Sequence, residues 1–173
     1  SGLIGAEIDK HFNSYAGASA GFTVTVRNCT IEKDVVVGYD GTQSEIGSIA
    51  GRMQGTVENC VSYATVKGVH YVGGIIGTKD NALGDCTVNN CTFGGTVEAS
   101  GNNAGGIVGG GYNDSSAPNG IHVGVKNCAV TKDVAVSGKE NVGGILGGDE
   151  IVAQAWNSYA ITDNTFLGKV KGE

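Results

Sequence analysis

The chain has little proline, methionine or leucine: one Pro and one Met stand against 31 Gly. Such a composition does not build helical bundles. The glycines follow no Gly-X-Y period, which excludes collagen. Abundant Val, Ile and Thr exclude a flexible linker. No apolar run is long enough to cross a bilayer as a helix, so membrane insertion is not expected. Arginine is scarce, with Arg27 and Arg52 alone, and the net charge is -6. That balance argues against nucleic acid or an anionic membrane as partner. No zinc-protease, nucleophile-elbow or phosphate-loop pattern occurs. Gly105 to Gly111 is glycine-dense, but no Lys-Ser/Thr pair follows it. No signal peptide is present in the sequence, which leaves room for a leader upstream in a longer parent. The chain opens inside a motif, as a segment cut from a longer parent would.

What the chain does have is repetition. Val72-Gly73-Gly74-Ile75-Ile76-Gly77 recurs as Ala104-Gly105-Gly106-Ile107-Val108-Gly109 and as Val142-Gly143-Gly144-Ile145-Leu146-Gly147. Ile46-Gly47-Ser48-Ile49-Ala50-Gly51 is a degenerate copy, and Ser1-Gly2-Leu3-Ile4-Gly5 is the tail of another. A second motif keeps step with it. Asn-Cys follows an apolar and then a polar residue at Asn28-Cys29, Asn59-Cys60, Asn90-Cys91 and Asn127-Cys128. The polar residue reads as outward-facing. Six positions past each Cys stands Val35, Val66, Val97 or Val134. A fifth copy, Ile161-Thr162-Asp163-Asn164, has Asp-Asn in place of Asn-Cys and ends at Val170.

A repeat at this period signals stacked units that cannot bury a face alone. Three short strand-like pieces per unit predict an all-β, parallel β-helix or solenoid of about five coils. The single domain spans 1–173, with a partial first repeat over 1–22 and a partial last one over 161–173. Equivalent residues then recur about 4.8 Å apart along the axis. Each repeated residue becomes a ladder. Asn suits a left-handed corner and can bond to the copies above and below. Cys fills a narrow interior as a small apolar residue. Glycine allows positive φ or close backbone approach.

Coil length varies mostly between the closing Gly of one glycine motif and the next Asn-Cys copy. The insertions are therefore expected at one corner. They carry Phe12 and Tyr15, Lys79 and Asp80, Tyr112 to Ser116, and Trp156 to Tyr159. Phe12-Asn13-Ser14-Tyr15-Ala16 and Trp156-Asn157-Ser158-Tyr159-Ala160 are near-copies. Ile8, Phe12 and Tyr15 share a helical face, which predicts a short helix over 7–15.

The two motifs together resemble the GLUG-type repeat across essentially the whole chain. Such repeats occur in arrays in bacterial surface and secreted proteins, including adhesins and IgA-cleaving proteases. The resemblance implies a β-helical stalk at the cell surface. It implies no chemistry, because the family shares a scaffold.

The chemistry-bearing residues are weighed next. Cys29, Cys60, Cys91 and Cys128 lie in a line, whereas a zinc site needs ligands converging on one point. Stacked parallel neighbours also point their Cβ atoms the same way, so a buried, reduced ladder is expected over disulfides. Buried free thiols in a secreted chain point to a reducing habitat. Cys86 is extra, and a Cys86–Cys91 bridge is its alternative. His11, His70 and His122 share no spacing and read as surface residues. Asp80, Asp85, Asp114, Asp149 and Glu150 read as solvated loop acids. Ca2+ held by Asp and backbone carbonyls is the alternative, and no other cofactor is expected. The insertion edge carrying Tyr112, Asn113, Asp114, Trp156 and Tyr159 is the candidate ligand site. Exposed aromatics flanked by Asn and Asp suit carbohydrate, and packing as a local mini-core is the competing reading.

The sequence thus reads as a non-enzymatic extracellular scaffold, a stalk or adhesin segment contacting a host or bacterial glycan. A self-assembling fibre subunit and a carbohydrate-active enzyme are the rivals. Lys169-Val170-Lys171-Gly172-Glu173 resembles the approach to a glycine strand, and Ser1 opens in the tail of one. The ends are therefore expected to match, giving self-association end to end or stacking on neighbouring repeats of a parent chain.

Overall fold

The computed structural model describes residues 24–38, 40–80, 85–112, 122–149 and 158–173. The first coil is β1 (Val24–Arg27), β2 (Thr30–Ile31), β3 (Val36–Val37), β4 (Ile46–Gly47) and β5 (Ala50–Arg52). The second is β6 (Gly55–Glu58), β7 (Val61–Ser62), β8 (Thr65–Gly68), β9 (Val72–Gly73) and β10 (Ile76–Asp80). The third is β11 (Cys86–Asn89), β12 (Thr92–Phe93), β13 (Thr96–Ala99), β14 (Ala104–Gly105) and β15 (Val108–Tyr112). The fourth is β16 (His122–Lys126), β17 (Ala129–Val130), β18 (Ala135–Ser137), β19 (Val142–Gly143) and β20 (Leu146–Asp149). The fifth contains β21 (Ser158–Thr162), β22 (Thr165–Phe166) and β23 (Lys169–Lys171). Every strand pairs in parallel with its equivalent one coil away, in three five-stranded and two four-stranded sheets. The described residues are all-β, built as a parallel solenoid. The expected helix over 7–15 and the partial first repeat over 1–22 lie outside the described residues.

Each of the first four coils has five strands where the sequence pattern gave three. The glycine motif is not one strand but a tight arch joining two. At its first glycine, a Cβ on Gly73, Gly105 or Gly143 would sit 1.8 or 1.9 Å from the carbonyl oxygen three residues on. At its last glycine, a Cβ on Gly77 or Gly109 would sit 2.5 Å from backbone of the preceding coil. The two arms of the arch thus pack backbone to backbone. Close approach is what these glycines supply; their φ values are not in the left-handed region.

The left-handed positions belong to other residues. One column is Asn28, Asn59, Asn90, Asn127 and Asp163, with φ between 52 and 57. A second stands just before the arch: Glu45, Tyr71, Asn103 and Asn141, with φ between 54 and 65. Each column turns the chain at one corner.

Register fills the core. Val26, Val57, Val88 and Val125 form an inward column, the inner three fully buried. Each such burial contributes about 1.5–3 kcal/mol. Beside it, Ile31, Ser62, Phe93, Val130 and Phe166 alternate in volume. Phe93 and Phe166 need that room, because each ring lies where a Cβ on Gly74 or Gly144 would be, at 2.6 Å. The valine column runs Val37, Val66, Val97, Val136 and Val170. Val35 and Val134, two residues earlier, do not belong to it, because coils one and four carry an extra Lys-Asp pair there. Val35 is accordingly 39% exposed.

Replacing Gly73 by Ala should cost about 3 kcal/mol or more, since the new methyl meets a backbone oxygen that cannot rotate away. Gly41, with φ +63 and open space around it, should lose only about 1–2 kcal/mol as Ala. Urea denaturation of the two variants measures the difference.

Candidate functional site

At the corner after the first strand, the Asn-Cys pairs form two parallel ladders. Asn28, Asn59, Asn90 and Asn127 are exposed, and their common feature is the left-handed backbone. Asn90 Nδ2 donates to Asn59 Oδ1 at 2.7 Å. This rung lies at the surface, so removing it leaves amides that water can satisfy.

The thiols form the inner ladder. Cys60, Cys91 and Cys128 are buried, and Cys29 at the first coil is half-buried. All are free thiols, as is Cys86. Each does more than fill space. The backbone N–H of Cys29, Cys60 and Cys91 donates to the Sγ of the cysteine one coil on, at 3.5 Å in every case. The single S–H of Cys60, Cys91 and Cys128 lies between two carbonyls, that of Glu58, Asn89 or Lys126 at 3.2 to 3.3 Å and that of Val26, Val57 or Val88 at 3.4 to 3.8 Å. In the fifth coil Asn164 takes over both roles. Its Oδ1 accepts from Cys128 N at 2.8 Å, and its Nδ2 donates to Val125 O at 2.8 Å. The position therefore selects a short side chain that both accepts and donates. Burial pushes the Cys60 thiol up. The neighbouring Cys128 thiol, together with burial, pushes Cys91 up.

Cys86 stands apart from this ladder, in the inward column with Gly55, Val123 and Tyr159. Burial raises its thiol from 9.0 to about 12, against the pull of the nearby Lys79 ammonium. Lys79 is itself fully buried.

The connections from the fifth strand of one coil to the first of the next all leave the same sheet. Between β5 and β6 the link is Met53-Gln54 alone. The longer links contain 81–84, 113–121 and 150–157, so the candidate residues Asn113, Asp114 and Trp156 lie outside the described residues, as do Glu150 and His11. Tyr112 ends β15, with its backbone opposite Asp80. Asp149 falls opposite Gly111, one register position away, and Asp85 is exposed. Tyr159 is half-buried in the Cys86 column and packs against the core, so its ring is not on the outer rim. Among the described residues no group of three His, Cys, Asp or Glu is placed to hold a metal ion.

His70 is not the plain surface residue expected. It is half-buried, and its Nδ1 accepts from Asn102 N of the next coil at 3.0 Å. His122 Nδ1 lies 2.6 Å from Ser158 Oγ across the same kind of step. Two further features escaped the sequence reading. Asn141 Nδ2 donates to Asn103 Oδ1 at 2.9 Å, a second Asn rung before the arch. Tyr63, outside every insertion, is 43% exposed on the outer wall. The residue just before each glycine motif, and the repeated Lys-Asp-Val, were the available signals.

Asn164→Ala should cost about 1–3 kcal/mol by orphaning Cys128 N and Val125 O, whereas Asn164→Cys should stay within about 1 kcal/mol of the parent. Thermal unfolding distinguishes them. The pH dependence has a definite sign. Above pH 9.0 the unfolded Cys86 thiol loses its proton while the folded one holds it to about 12. Stability should fall across that window, by up to about 1.4 kcal/mol per pH unit. Cys86→Val, matching the neighbouring Val123, should flatten that decline in denaturation curves at pH 8 to 11.

The chain matches no family model, no curated protein and no solved structure.

Proposed function

We propose that this chain is a non-enzymatic extracellular scaffold, a GLUG-type repeat segment serving as stalk and adhesive surface on a bacterial cell. One observation carries the reading: successive coils keep one register through all five sheets. Length is then set by the number of coils, at about 4.8 Å each. The glycine arch, the left-handed corners and the thiol ladder serve stacking. Length varies only at the connections between strands, where surface contacts can change without disturbing the stack. A glycan is the partner this reading favours.

A second reading, a fibre subunit, is favoured by the last coil. Ile161 and Val170 are 38% and 43% exposed, while Val125 and Val136, one step inward in the same columns, are 0% and 1%. Leu167 beside them is 63% exposed. An edge with apolar side chains is a template for another coil, whether from a second copy or from further repeats of the same chain. A head-to-tail contact that does not close grows a filament.

Three measurements separate these readings. Glycan-array binding without release of reducing ends from polysaccharides is expected of the adhesive scaffold; released ends would replace it with a carbohydrate-active enzyme. Sedimentation over a wide concentration range should show end-to-end association if the fibre reading holds. In that case Ile161→Lys with Val170→Lys should shift the equilibrium to monomer, by about tenfold or more. Monomer at every concentration would remove the fibre reading and leave the stalk.

A further inference from the structure

The corner between the second and third strands of each coil has two different lengths. In coils two and three it is Tyr63-Ala64 and Gly94-Gly95. In coils one and four it is Glu32-Lys33-Asp34-Val35 and Thr131-Lys132-Asp133-Val134. Hydrogen bonds fix the equivalence. Tyr63 N donates to Ile31 O, Gly94 N to Ser62 O and Thr131 N to Phe93 O, at 2.8 to 3.0 Å. On the far side, Thr65 N donates to Val35 O, Thr96 N to Ala64 O and Lys169 N to Val134 O. The extra Lys33-Asp34 and Lys132-Asp133 pairs are exposed additions at one corner. They stand three coil steps apart, about 14 Å, with the two short coils recessed between them.

Tyr63 forms the floor. A Cβ on Gly94 would meet its Cδ1 and Cε1 at 2.7 and 2.8 Å, so the ring is seated on glycine backbone. Gly95 is held to glycine as well, since a Cβ there would lie 1.9 Å from Ala64 O. The floor is therefore shallow, aromatic and fixed from below. The Thr131 hydroxyl lies 3.5 Å from the same Gly94 Cβ position. The first rim offers the Lys33 ammonium with the Glu32 and Asp34 carboxylates, and the fourth-coil rim offers Lys132 with Asp133, so the saddle is slightly acidic.

We propose that this saddle is a carbohydrate subsite, binding a pyranose ring of a neutral glycan with its C–H face on Tyr63. The rims supply donors and acceptors for the hydroxyls. The Tyr63 ring with the exposed Val35 of the first rim, set among charged groups of both signs, offers too little apolar area for a protein partner. Three carboxylates against two ammonium groups disfavour uronate or phosphate and leave a neutral sugar as the fitting ligand. The inference deepens the adhesive reading by placing its glycan on the outer wall, away from the insertion edge.

The test is a titration of the isotope-labelled protein with methyl glycosides and trisaccharides of glucose, galactose, mannose and N-acetylglucosamine. Tyr63, Gly94 and Gly95 resonances should move together with at least one of them. Tyr63→Ala should weaken that binding by about tenfold or more, Tyr63→Phe should retain most of it, and Lys132→Ala should weaken it further than Lys139→Ala. Unchanged circular dichroism shows that the coils stay folded. Glycan binding that survives Tyr63→Ala, or shifts confined to other residues, overturns the subsite while leaving the adhesive reading standing. No response to any of these sugars overturns the subsite too. Shifts at Tyr63 that track protein concentration alone overturn it in favour of a second copy as occupant.

Discussion

Everything in this solenoid depends on backbone approaching backbone at the glycine arch. Two strands fold onto each other with no side chain between them. The first and last glycines of the motif face each other across successive coils: a Cβ on Gly73 would lie 2.6 Å from Gly109 N, and one on Gly105 would lie 2.7 Å from Gly147 N. The arch is held by backbone contact on both arms and by the buried isoleucines between its glycines. Its carbonyls hold the next coil in place. Ile107 O and Ile145 O each accept two N–H groups from the preceding coil, at 2.9 and 3.0 Å. Once the arch is in register, the valine and phenylalanine columns must fall into line, since each strand is only a few residues from it.

Corners elsewhere solve a different problem, that of turning the chain without losing a hydrogen bond. Left-handed Asn and Asp make the turn. The side chain that follows then repairs the ladder where the backbone has bent away. Sulfur does this in coils two to four and an amide does it in the fifth. The change from Asn-Cys to Asp-Asn at Asp163 and Asn164 is thus a substitution within one geometry. In the first coil the glycine arch has its own version: Ser48, at the second glycine position, turns its hydroxyl onto the carbonyl of Gly74. Glu45 and Arg52 pair through charge at the base of that same arch.

The repeat, its parallel stacking and its inward cysteines could be read from the sequence, because the same residue types recur at each coil and only stacking makes recurrence useful. The arch could not. A Val-Gly-Gly-Ile-Ile-Gly string looks like one strand until the Cβ positions are built and found occupied. The slip at Val35 and Val134 has a plain cause: Lys-Asp-Val-Ala-Val and Lys-Asp-Val-Val-Val offer two valines of the same parity, and counting from Cys picks the wrong one. The second left-handed column was hidden by its variety. Glu45 and Tyr71 share no chemistry with Asn103 and Asn141, only a backbone conformation. Of the candidate site, the sequence placed aromatic chemistry in the insertions, where Tyr159 turns inward. Tyr63 passed unnoticed because its role depends on Gly94, one coil away and 31 positions on, as in the Asn59 to Asn90 step.

The thiol rungs also set how the molecule responds to force. Partners across one rung are 31 or 37 residues apart in sequence. Among the described residues no strand pairs with anything beyond its immediate neighbours in the stack. A pull on the last coil is therefore resisted by one interface at a time. Each coil that peels away releases about 110–130 Å of extended chain. The next interface then meets the load intact. Such a rod yields in steps, lengthening under tension while the remaining coils keep their shape.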